Sequence, residues 1–319
     1  MNKLLETSLE LSRKVCRRLH LQKTYKLSYD LSGQVVSDYL RDLLTADKPC
    51  MIARLGATEL NYLANYLSVR DKRNILVKLY KYLTNQMEEF WWSAERRRKM
   101  SLWSGFFPSD QDKLSKFAEL MLASLPQIDM LGSWLPEERY FAKELRGAKK
   151  VPLIDLEPYY HAEPWTIALR GKKVLVVHPF SATIESQYQK REKLFMNPDV
   201  LPEFHLETIQ AVQSIAGTQT KYTDWFAALD DMKKQIALKD FDVAILGCGA
   251  YGFPLAAYIK GLGKKAVHLG GCSQLLFGIK GKRFDPYLYI NLLYNKHWVR
   301  PSAEETPPRA EIVEGGCYW

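Results

Sequence analysis

The chain has 319 residues, of which 45 are Lys or Arg and 36 are Asp or Glu, so its formal net charge is +9. Its content of 47% hydrophobic and 25% charged residues is typical of a globular protein and excludes a disordered, collagen-like or coiled-coil chain. The basic excess is compatible with binding to a polyanion, a membrane surface or a phosphate-bearing small ligand. The net charge alone does not distinguish these partners.

The first predicted element is an amphipathic helix close to the N-terminus. One side of its helical wheel carries Leu4, Leu5, Leu9, Leu11, Val15, Cys16 and Leu19. Most of the other side carries Lys3, Arg13, Lys14, Arg17 and Arg18. Such a helix lies on an anionic membrane face, docks on its own protein, or forms an interface with a second copy of the chain. The sequence leaves these three alternatives open.

Neither a leader peptide nor a membrane-spanning helix is expected. Glu6 and Glu10 interrupt the apolar residues of the N-terminus. The longest uncharged run, residues 243–259, contains three glycines and Pro254, which favour a strand, a turn and a helix. Five widely spaced cysteines without a Cys-x-x-Cys pair predict neither disulfides nor structural zinc. The reducing cytoplasm is therefore the expected compartment, with peripheral association at the inner face of the cell membrane as an option.

The first half of the chain is predicted to contain one strand among helices. The apolar run 49–54 is followed by Gly56 and then by a helical pattern through Leu60, Leu63 and Leu67. Residues 72–124 are predicted to be mainly helical and to form an insertion.

The second half alternates strands with helices. Strands are predicted at 151–156, 173–178, 204–208, 242–246 and 265–269, and helices at 183–195, 224–239 and 253–262. This alternation predicts an α/β fold with a Rossmann-like, mostly parallel sheet and helices on both faces. We expect an N-terminal helical region at 1–47, the Rossmann-like domain at 48–285 and a C-terminal extension at 286–319.

The strand at 242–246 leads directly into a glycine-rich turn. The candidate ligand-binding residues of this turn are Gly247, Gly249, Tyr251 and Gly252. A Gly-x-Gly-x-x-Gly turn before a helix lets backbone N–H groups approach a diphosphate. A tight turn that serves packing alone is the alternative.

The following strand argues against a dinucleotide. A NAD site has an acidic residue at the end of that strand to hold the ribose. Here the strand ends in His268 and is followed by Gly270 and Gly271, with no carboxylate. We therefore favour a nucleoside diphosphate.

A second candidate loop follows the strand at 173–178. Ser181 and Thr183 cap the next helix or, with its free N–H groups, hold a phosphate. His178, at the end of the strand, acts as a proton acceptor or donates to a phosphate oxygen. The alternative is an ordinary helix cap beside a structural histidine.

Two carboxylates close the predicted strand at 151–156. Strand alternation places Asp155 and Glu157 on one face, where they would hold a divalent metal or a sugar hydroxyl. A pair of solvated acids is the alternative. No Walker A loop, serine-hydrolase elbow, zinc-protease motif or RNA-binding motif is present, so we expect no nucleic-acid partner.

Two segments resemble the GT-D-type nucleotide-sugar glycosyltransferases. Ile52-Ala-Arg54-Leu-Gly56-Ala-Thr-Glu59 is similar to that family's Arg-Phe-Gly-Asp-Gly-Glu motif, which follows an early strand. The segments 246–252 and 266–271 resemble its second nucleotide-binding strand–helix–strand unit. The resemblance implies transfer of a sugar from a nucleotide-sugar donor to a lipid-linked or other glycan acceptor in bacterial surface-polysaccharide biosynthesis.

The resemblance also implies roles for particular residues. Arg54 and Gly56 would help to hold the donor, and Glu59 would be the general base or a metal ligand, with His178 as the alternative base. The family motif is associated with a divalent cation, but Ala57 replaces its Asp. Dependence on Mn²⁺ or Mg²⁺ therefore stays open, with Asp155 or Glu157 as substitute ligands. The alternative functions are a dehydrogenase or methyltransferase that uses the glycine turn, or a non-catalytic scaffold.

Overall fold

The computed structural model describes residues 3–319. Its strands are β1 (Cys50–Arg54), β2 (Met130–Ser133), β3 (Lys149–Pro152), β4 (Lys173–His178), β5 (His205–Gln210), β6 (Val243–Leu246) and β7 (Lys265–His268). They form one seven-stranded sheet in the order β3-β2-β1-β7-β6-β4-β5, and all of its strand pairs are parallel. The predicted α/β class with a parallel, Rossmann-like sheet is confirmed.

Helices cover both faces of this sheet. They are α1 (Lys3–Arg18), α2 (Gln34–Thr45), α3 (Ala57–Arg70), α4 (Ile75–Leu83), α5 (Ala94–Leu102), α6 (Gln111–Ser124), α7 (Ser181–Tyr188), α8 (Trp225–Ala237), α9 (Gly252–Gly261), α10 (Ser273–Leu276) and α11 (Leu288–Asn291). Helices α3, α6, α8 and α9 share one hydrophobic core with the sheet, and α2, α7 and α10 share the other. Helices α4, α5 and α6 lie within residues 72–124, the segment that was predicted to be mainly helical.

The strands are buried on both sides because alternate residues enter opposite cores. Along β1, Met51 and Ala53 pack into the core of α3 and α9, whereas Cys50 and Ile52 pack into the core of α2 and α7. A strand that is covered on both faces has no polar side, which explains why the sequence shows continuous apolar runs at these strands.

Three predicted boundaries need correction. Strand β2 was not predicted, since Gly132 and Ser133 end the apolar run after Met130 and Leu131. The strand predicted at 151–156 is wrong beyond Pro152, where the chain enters a 3-10 helix at Leu153–Leu156. Proline ends the pairing there because it has no N–H to donate.

The helix predicted at 183–195 ends early, at Tyr188. Ile184, Tyr188 and Leu194 all pack into the same core. A continuous helix would turn Leu194 about 120° away from Tyr188. The chain therefore leaves the helix, and this brings Leu194 back to the core.

Helices leave the sheet on opposite faces at two neighbouring strand pairs. The chain after β4 enters α7 on one face, and the chain after β6 enters α9 on the other. The same holds for β1, which leads to α3, and β7, which leads to α10. Crevices that bind ligands open at such points, beyond the carboxyl ends of the strands.

No helix within residues 3–319 combines the length and the apolar character needed to cross a bilayer. All five cysteines are free thiols.

Candidate functional site

A cavity of about 750 Å³ opens at the carboxyl edge of the sheet and spans both crevices. Its walls come from the segments that follow all seven strands and from the C-terminal extension. They include residues 54 and 56–59 after β1, 178–180 after β4, 247–251 after β6, 268 and 270–272 after β7, and 313, 314, 318 and 319 of the extension. A volume of this size is in the range of small-molecule sites.

Arg54 supplies a free cation to this cavity. Its guanidinium lies 4.8 Å from the centre of the Trp134 ring, and the indole N–H of Trp134 donates to the carbonyl oxygen of Leu55 at 2.9 Å. The guanidinium forms neither a hydrogen bond nor an ion pair with any residue in the range 3–319. Because an arginine side chain is always charged, this one can bind an anionic group bidentately.

Glu59 lies in the first turn of α3 and folds back over the start of that helix. A Cβ atom at Gly56 would stand 2.0 Å from Oε2 of Glu59, so only glycine leaves room for this carboxylate. A carboxylate at a helix N-terminus is stabilised by the helix dipole. The structure thus places Arg54, Gly56 and Glu59 together in the cavity wall, as the sequence predicts.

The three glycines of the turn after β6 have different roles. A Cβ at Gly247 would stand 1.9 Å from Oγ of Ser273 and 2.4 Å from Cδ2 of His178, and one at Gly252 would stand 2.5 Å from the His268 ring. Gly249 has φ +55° and no atom within 4 Å of its Cβ position. Two of the glycines therefore serve packing, and Gly249 alone faces open space.

The different roles of the three glycines predict that their substitution by alanine lowers stability to different extents. We expect Gly247→Ala and Gly252→Ala each to lower the free energy of unfolding by about 1–3 kcal/mol or more, since the added methyl overlaps a packed side chain. Gly249→Ala should lower the free energy of unfolding by only about 1–2 kcal/mol, because alanine is less stable than glycine in the left-handed backbone conformation of this residue. Urea unfolding of the three variants measures the difference. An equal loss at all three positions would contradict the assignment.

His178 is held as a neutral hydrogen-bond donor. The backbone N–H of Phe180 donates to its Nδ1 at 2.9 Å, so the neutral ring carries its proton on Nε2. Burial lowers the pKa of His178 to about 3. Of the two predicted roles, donation to a ligand oxygen fits this tautomer, whereas a general base would need the opposite one.

The predicted phosphate position at Ser181 and Thr183 is filled by a carboxylate of the chain itself. Neither residue lines the cavity. The N–H groups of Ala182 and Thr183 donate to Oε1 of Glu305 at 2.9 and 3.3 Å, and the Thr183 hydroxyl donates to its Oε2. The loop therefore binds an anion as predicted, but that anion is Glu305 of the C-terminal extension.

The Glu305 contacts predict a specific effect on the extension. We expect Glu305→Ala to lower the free energy of unfolding by about 1–3 kcal/mol, because it leaves the buried donors at the start of α7 without a partner. Proteolysis should then cut residues 301–319 faster than in the wild type. Glu304→Ala, which removes a neighbouring exposed carboxylate, is the control and should leave both readouts unchanged.

Asp155 and Glu157 do not share a face, contrary to prediction, because the strand ends at Pro152. The Asp155 carboxylate accepts the Gly33 N–H at 2.7 Å and lies outside the cavity. Glu157 lines the cavity and accepts hydrogen bonds from the Tyr159 hydroxyl at 2.5 Å and from the Cys272 thiol. Burial raises its carboxyl pKa, and the opposing effects of these donors and of the Arg54 charge are smaller.

The three candidate metal ligands do not come together. Glu59 and Glu157 line the cavity and Asp155 does not. Within residues 3–319, no group of three or more His, Cys, Asp or Glu side chains could hold a metal ion. The side chains therefore do not fit a metal held by the protein alone, and the reaction steps below are assigned to residues of the chain.

The remaining predicted residues reach the cavity, beside aromatic residues that the sequence analysis missed. Tyr251 stacks on Trp225 at 4.8 Å, and its hydroxyl lies 3.2 Å from Oγ of Ser214, so it mainly supports the wall. Gly270 has φ +60°, and its Cβ position stands 3.2 Å from Cδ of Arg54. The aromatic lining side chains that were not predicted include Trp134, Tyr160, Tyr287, Tyr289, Tyr318 and Trp319.

The tail and the tyrosines at the cavity mouth complete the wall. A Cβ at Gly271 would stand 2.5 Å from Cε1 of Tyr318, so a glycine at this position leaves room for the Tyr318 ring. The hydroxyl of Tyr160 is buried and has no hydrogen-bond partner in the range 3–319. In the sequence, the only indication of this aromatic wall is the high content of tyrosine and tryptophan, 18 and 8 residues.

Fold and site together define an α/β protein with a Rossmann-like parallel sheet and a ligand cavity at its carboxyl edge. Comparison with protein-family models, curated proteins and solved structures gives no match to this chain.

Proposed function

We propose that the protein is a glycosyltransferase that moves a sugar from a nucleoside diphosphate sugar to a glycan acceptor, as in the building of bacterial surface polysaccharides. One observation carries the proposal. The unpaired guanidinium of Arg54 and the buried carboxyl of Glu157 line the same cavity, at the sheet edge where Rossmann-like proteins bind nucleotides. The resemblance of 52–60 to the GT-D motif supports the same class of reaction.

In this proposal the donor diphosphate lies between Arg54 and the start of α9. Arg54 neutralises its oxygens bidentately, and the backbone at Gly249 leaves room for it beside the positive end of the α9 dipole. The Nε2 proton of His178 provides a further hydrogen bond to an oxygen. These groups also stabilise the nucleoside diphosphate as its negative charge develops on leaving.

Glu157 is the acid–base group of the proposed reaction. Its carboxylate takes the proton of the acceptor hydroxyl while the hydroxyl oxygen bonds to the sugar C1 and the bond from C1 to the diphosphate oxygen breaks. A carboxylate whose pKa is raised by burial is a stronger base than a solvated one. Glu59, whose carboxylate is held at the start of α3, is the second candidate for this role.

Aromatic side chains suit the acceptor end of the cavity. Tyr287 and Tyr289 line it and are nearly half exposed, and the Tyr160 ring lies 5.4 Å from that of Tyr289. Tyrosine combines an apolar face, which packs against the C–H groups of a sugar ring, with a hydroxyl that bonds to sugar oxygens. The unpartnered Tyr160 hydroxyl is the group that we assign to an acceptor hydroxyl.

The experiment is a donor panel with the purified protein. UDP-, GDP- and CDP-sugars are tested for thermal stabilisation and for nucleoside diphosphate release in the presence of polyprenyl-linked acceptors, with and without Mn²⁺ or Mg²⁺. Glu157→Gln should bind the donor and lose release. Glu192→Gln, at an exposed position of a short 3-10 helix, should keep both.

The other outcomes separate the alternatives. Stabilisation by NAD or S-adenosylmethionine instead of nucleotide sugars would favour a different nucleotide-cofactor enzyme. No stabilisation by any nucleotide and no diphosphate release would overturn the proposal and favour a scaffold.

A further inference from the structure

Hydrogen bonds made by Arg13, on its polar side, attach helix α1 to the rest of the protein. The Arg13 guanidinium donates to Glu88 at 3.3 Å and to Asn85 at 3.0 Å, and it lies 4.6 Å from the centre of the Tyr82 ring. The Gln22 amide donates to the carbonyl oxygens of Arg13 and Leu83. No residue of α1 is buried. Of the three alternatives that the sequence left open, docking on the protein therefore occurs. It half-buries Leu9 and Cys16 at one edge of the apolar face and leaves most of that face uncovered.

That face points to solvent. Leu5, Leu11, Val15 and Leu19 are between 46% and 62% exposed. The neighbouring helix α4, which packs against α1, adds Ile75, Leu76 and Tyr80, each more than 60% exposed. We call these seven residues the apolar surface. Seven large apolar side chains exposed on two helices that contact each other are unusual on a protein that faces water alone, and they mark a site of interaction.

The charge around the apolar surface is strongly positive. Residues 3–26 contain seven basic and two acidic side chains, and residues 71–83 contain four basic and one acidic, which gives these segments +8 of the chain's +9. The basic residues nearest to the surface in sequence are Lys3, Lys14, Arg17, Arg18, Lys78 and Lys81.

We propose that the α1–α4 apolar surface docks the protein onto an anionic lipid bilayer. The leucine, isoleucine and valine side chains would enter the boundary between headgroups and acyl chains, and the lysines and arginines would bind the headgroups. Tyr80, with an apolar ring and a polar hydroxyl, suits the level between them. The positive charge argues against a second copy, since a symmetric dimer on this face would bring two basic surfaces together.

Vesicle flotation tests the proposal. The full chain is mixed with vesicles of phosphatidylcholine alone or with one quarter phosphatidylglycerol, at 0.1 M and 1 M NaCl. We expect flotation with the anionic vesicles at low salt, a large decrease at high salt, and little binding to phosphatidylcholine alone. Binding that ignores both lipid charge and salt would overturn the proposal.

Substitutions locate the surface. The double variant Leu11→Gln/Val15→Gln keeps the charge and removes apolar area, so we expect its partitioning to fall about tenfold or more. Lys14→Glu/Arg17→Glu should lose the preference for anionic lipid. Leu238→Gln is the matched control, because Leu238 is 86% exposed at the end of α8, outside the apolar surface.

Two results would contradict the lipid assignment. One is flotation of the Leu11→Gln/Val15→Gln variant with anionic vesicles to the same extent as the wild type. The other is a dimer in light scattering that dissociates in this double variant while the wild type does not bind vesicles. All the substituted side chains are exposed, and equal thermal unfolding midpoints would show that the variants are folded. The test does not depend on the activity proposed for the cavity.

Discussion

Arg54→Ala should lower kcat/KM for release of nucleoside diphosphate by about 10²- to 10³-fold, the effect of removing one charge-stabilising group from a phosphate-transfer or acyl-transfer site. The same variant should bind the free nucleoside diphosphate more weakly, because the guanidinium is assigned to the diphosphate in the ground state as well. Isothermal titration and initial-rate kinetics on the purified protein measure the two effects.

The expected size follows from the surroundings of Arg54. Its guanidinium forms no ion pair within residues 3–319, although its charge acts on the Glu157 carboxyl, so a bound phosphate would not have to displace a direct partner. Stacking on Trp134 also restricts its orientation before the donor binds. A preoriented cation loses less conformational freedom on binding, which increases its contribution.

Controls separate binding from folding. Arg54→Lys keeps the charge but cannot bind a phosphate bidentately, so we expect its kcat/KM to lie between those of wild type and Arg54→Ala. Arg170→Ala removes an exposed arginine that pairs with Asp199 and should not change kinetics. Unfolding of Arg54→Ala should stay within about 1 kcal/mol of wild type, since only the ring contact is lost. Unchanged diphosphate binding would remove Arg54 from the site.

The protein should lose stability steeply as the pH falls below about 6.5. Burial lowers the pKa values of His178 and His268 to about 3, so both rings stay neutral in the folded state while they become protonated in the unfolded state. Between pH 6.5 and 3 the unfolded state therefore binds more protons, and the free energy of unfolding decreases as the pH decreases. Each histidine contributes a slope of up to about 1.4 kcal/mol per pH unit.

Urea unfolding between pH 4 and pH 8 measures this slope. His178→Gln and His268→Gln should each reduce it by about one proton. Glu157 works in the opposite direction. Because its folded-state carboxyl pKa is raised, its contribution to stability is lost as the pH rises through that pKa. A slope that the two histidine variants leave unchanged would show that neither ring is neutral when folded.

The sequence predicted the class of the sheet because parallel strands and their crossover helices leave alternating apolar runs of characteristic length. The resemblance implied a donor site that involves Arg54, Glu59 and the segments after β6 and β7. These residues line one cavity, because the carboxyl ends of parallel strands share one edge. Ser181 and Thr183 show what the sequence could not predict. Their partner Glu305 is more than 120 residues away in the chain, and no local pattern reports such a contact.

The glycine turn shows a second limit. Its spacing is the same whether a glycine makes room for a ligand or for a neighbouring side chain. Gly247 and Gly252 make room for His178 and His268, two residues at the ends of other strands. Only the tertiary arrangement distinguishes these two from Gly249. Asp155 and Glu157 were misplaced for a similar reason, because a single proline ended the strand on which the prediction relied.

The order of the strands also dictates when the sheet can be completed during synthesis. Strands β1–β3 and β4–β7 each come from one continuous stretch of chain, and the two stretches are joined only by the ladder between β1 and β7, in which Cys50 pairs with Lys265. At about 5–20 residues per second, a ribosome takes roughly 10–40 s to make the chain between them. Throughout that interval one edge of β1 lacks its native neighbour, and an open edge is where strands of other chains add. Escape from aggregation in the cell therefore depends on how well the first half of the chain is protected until β7 emerges.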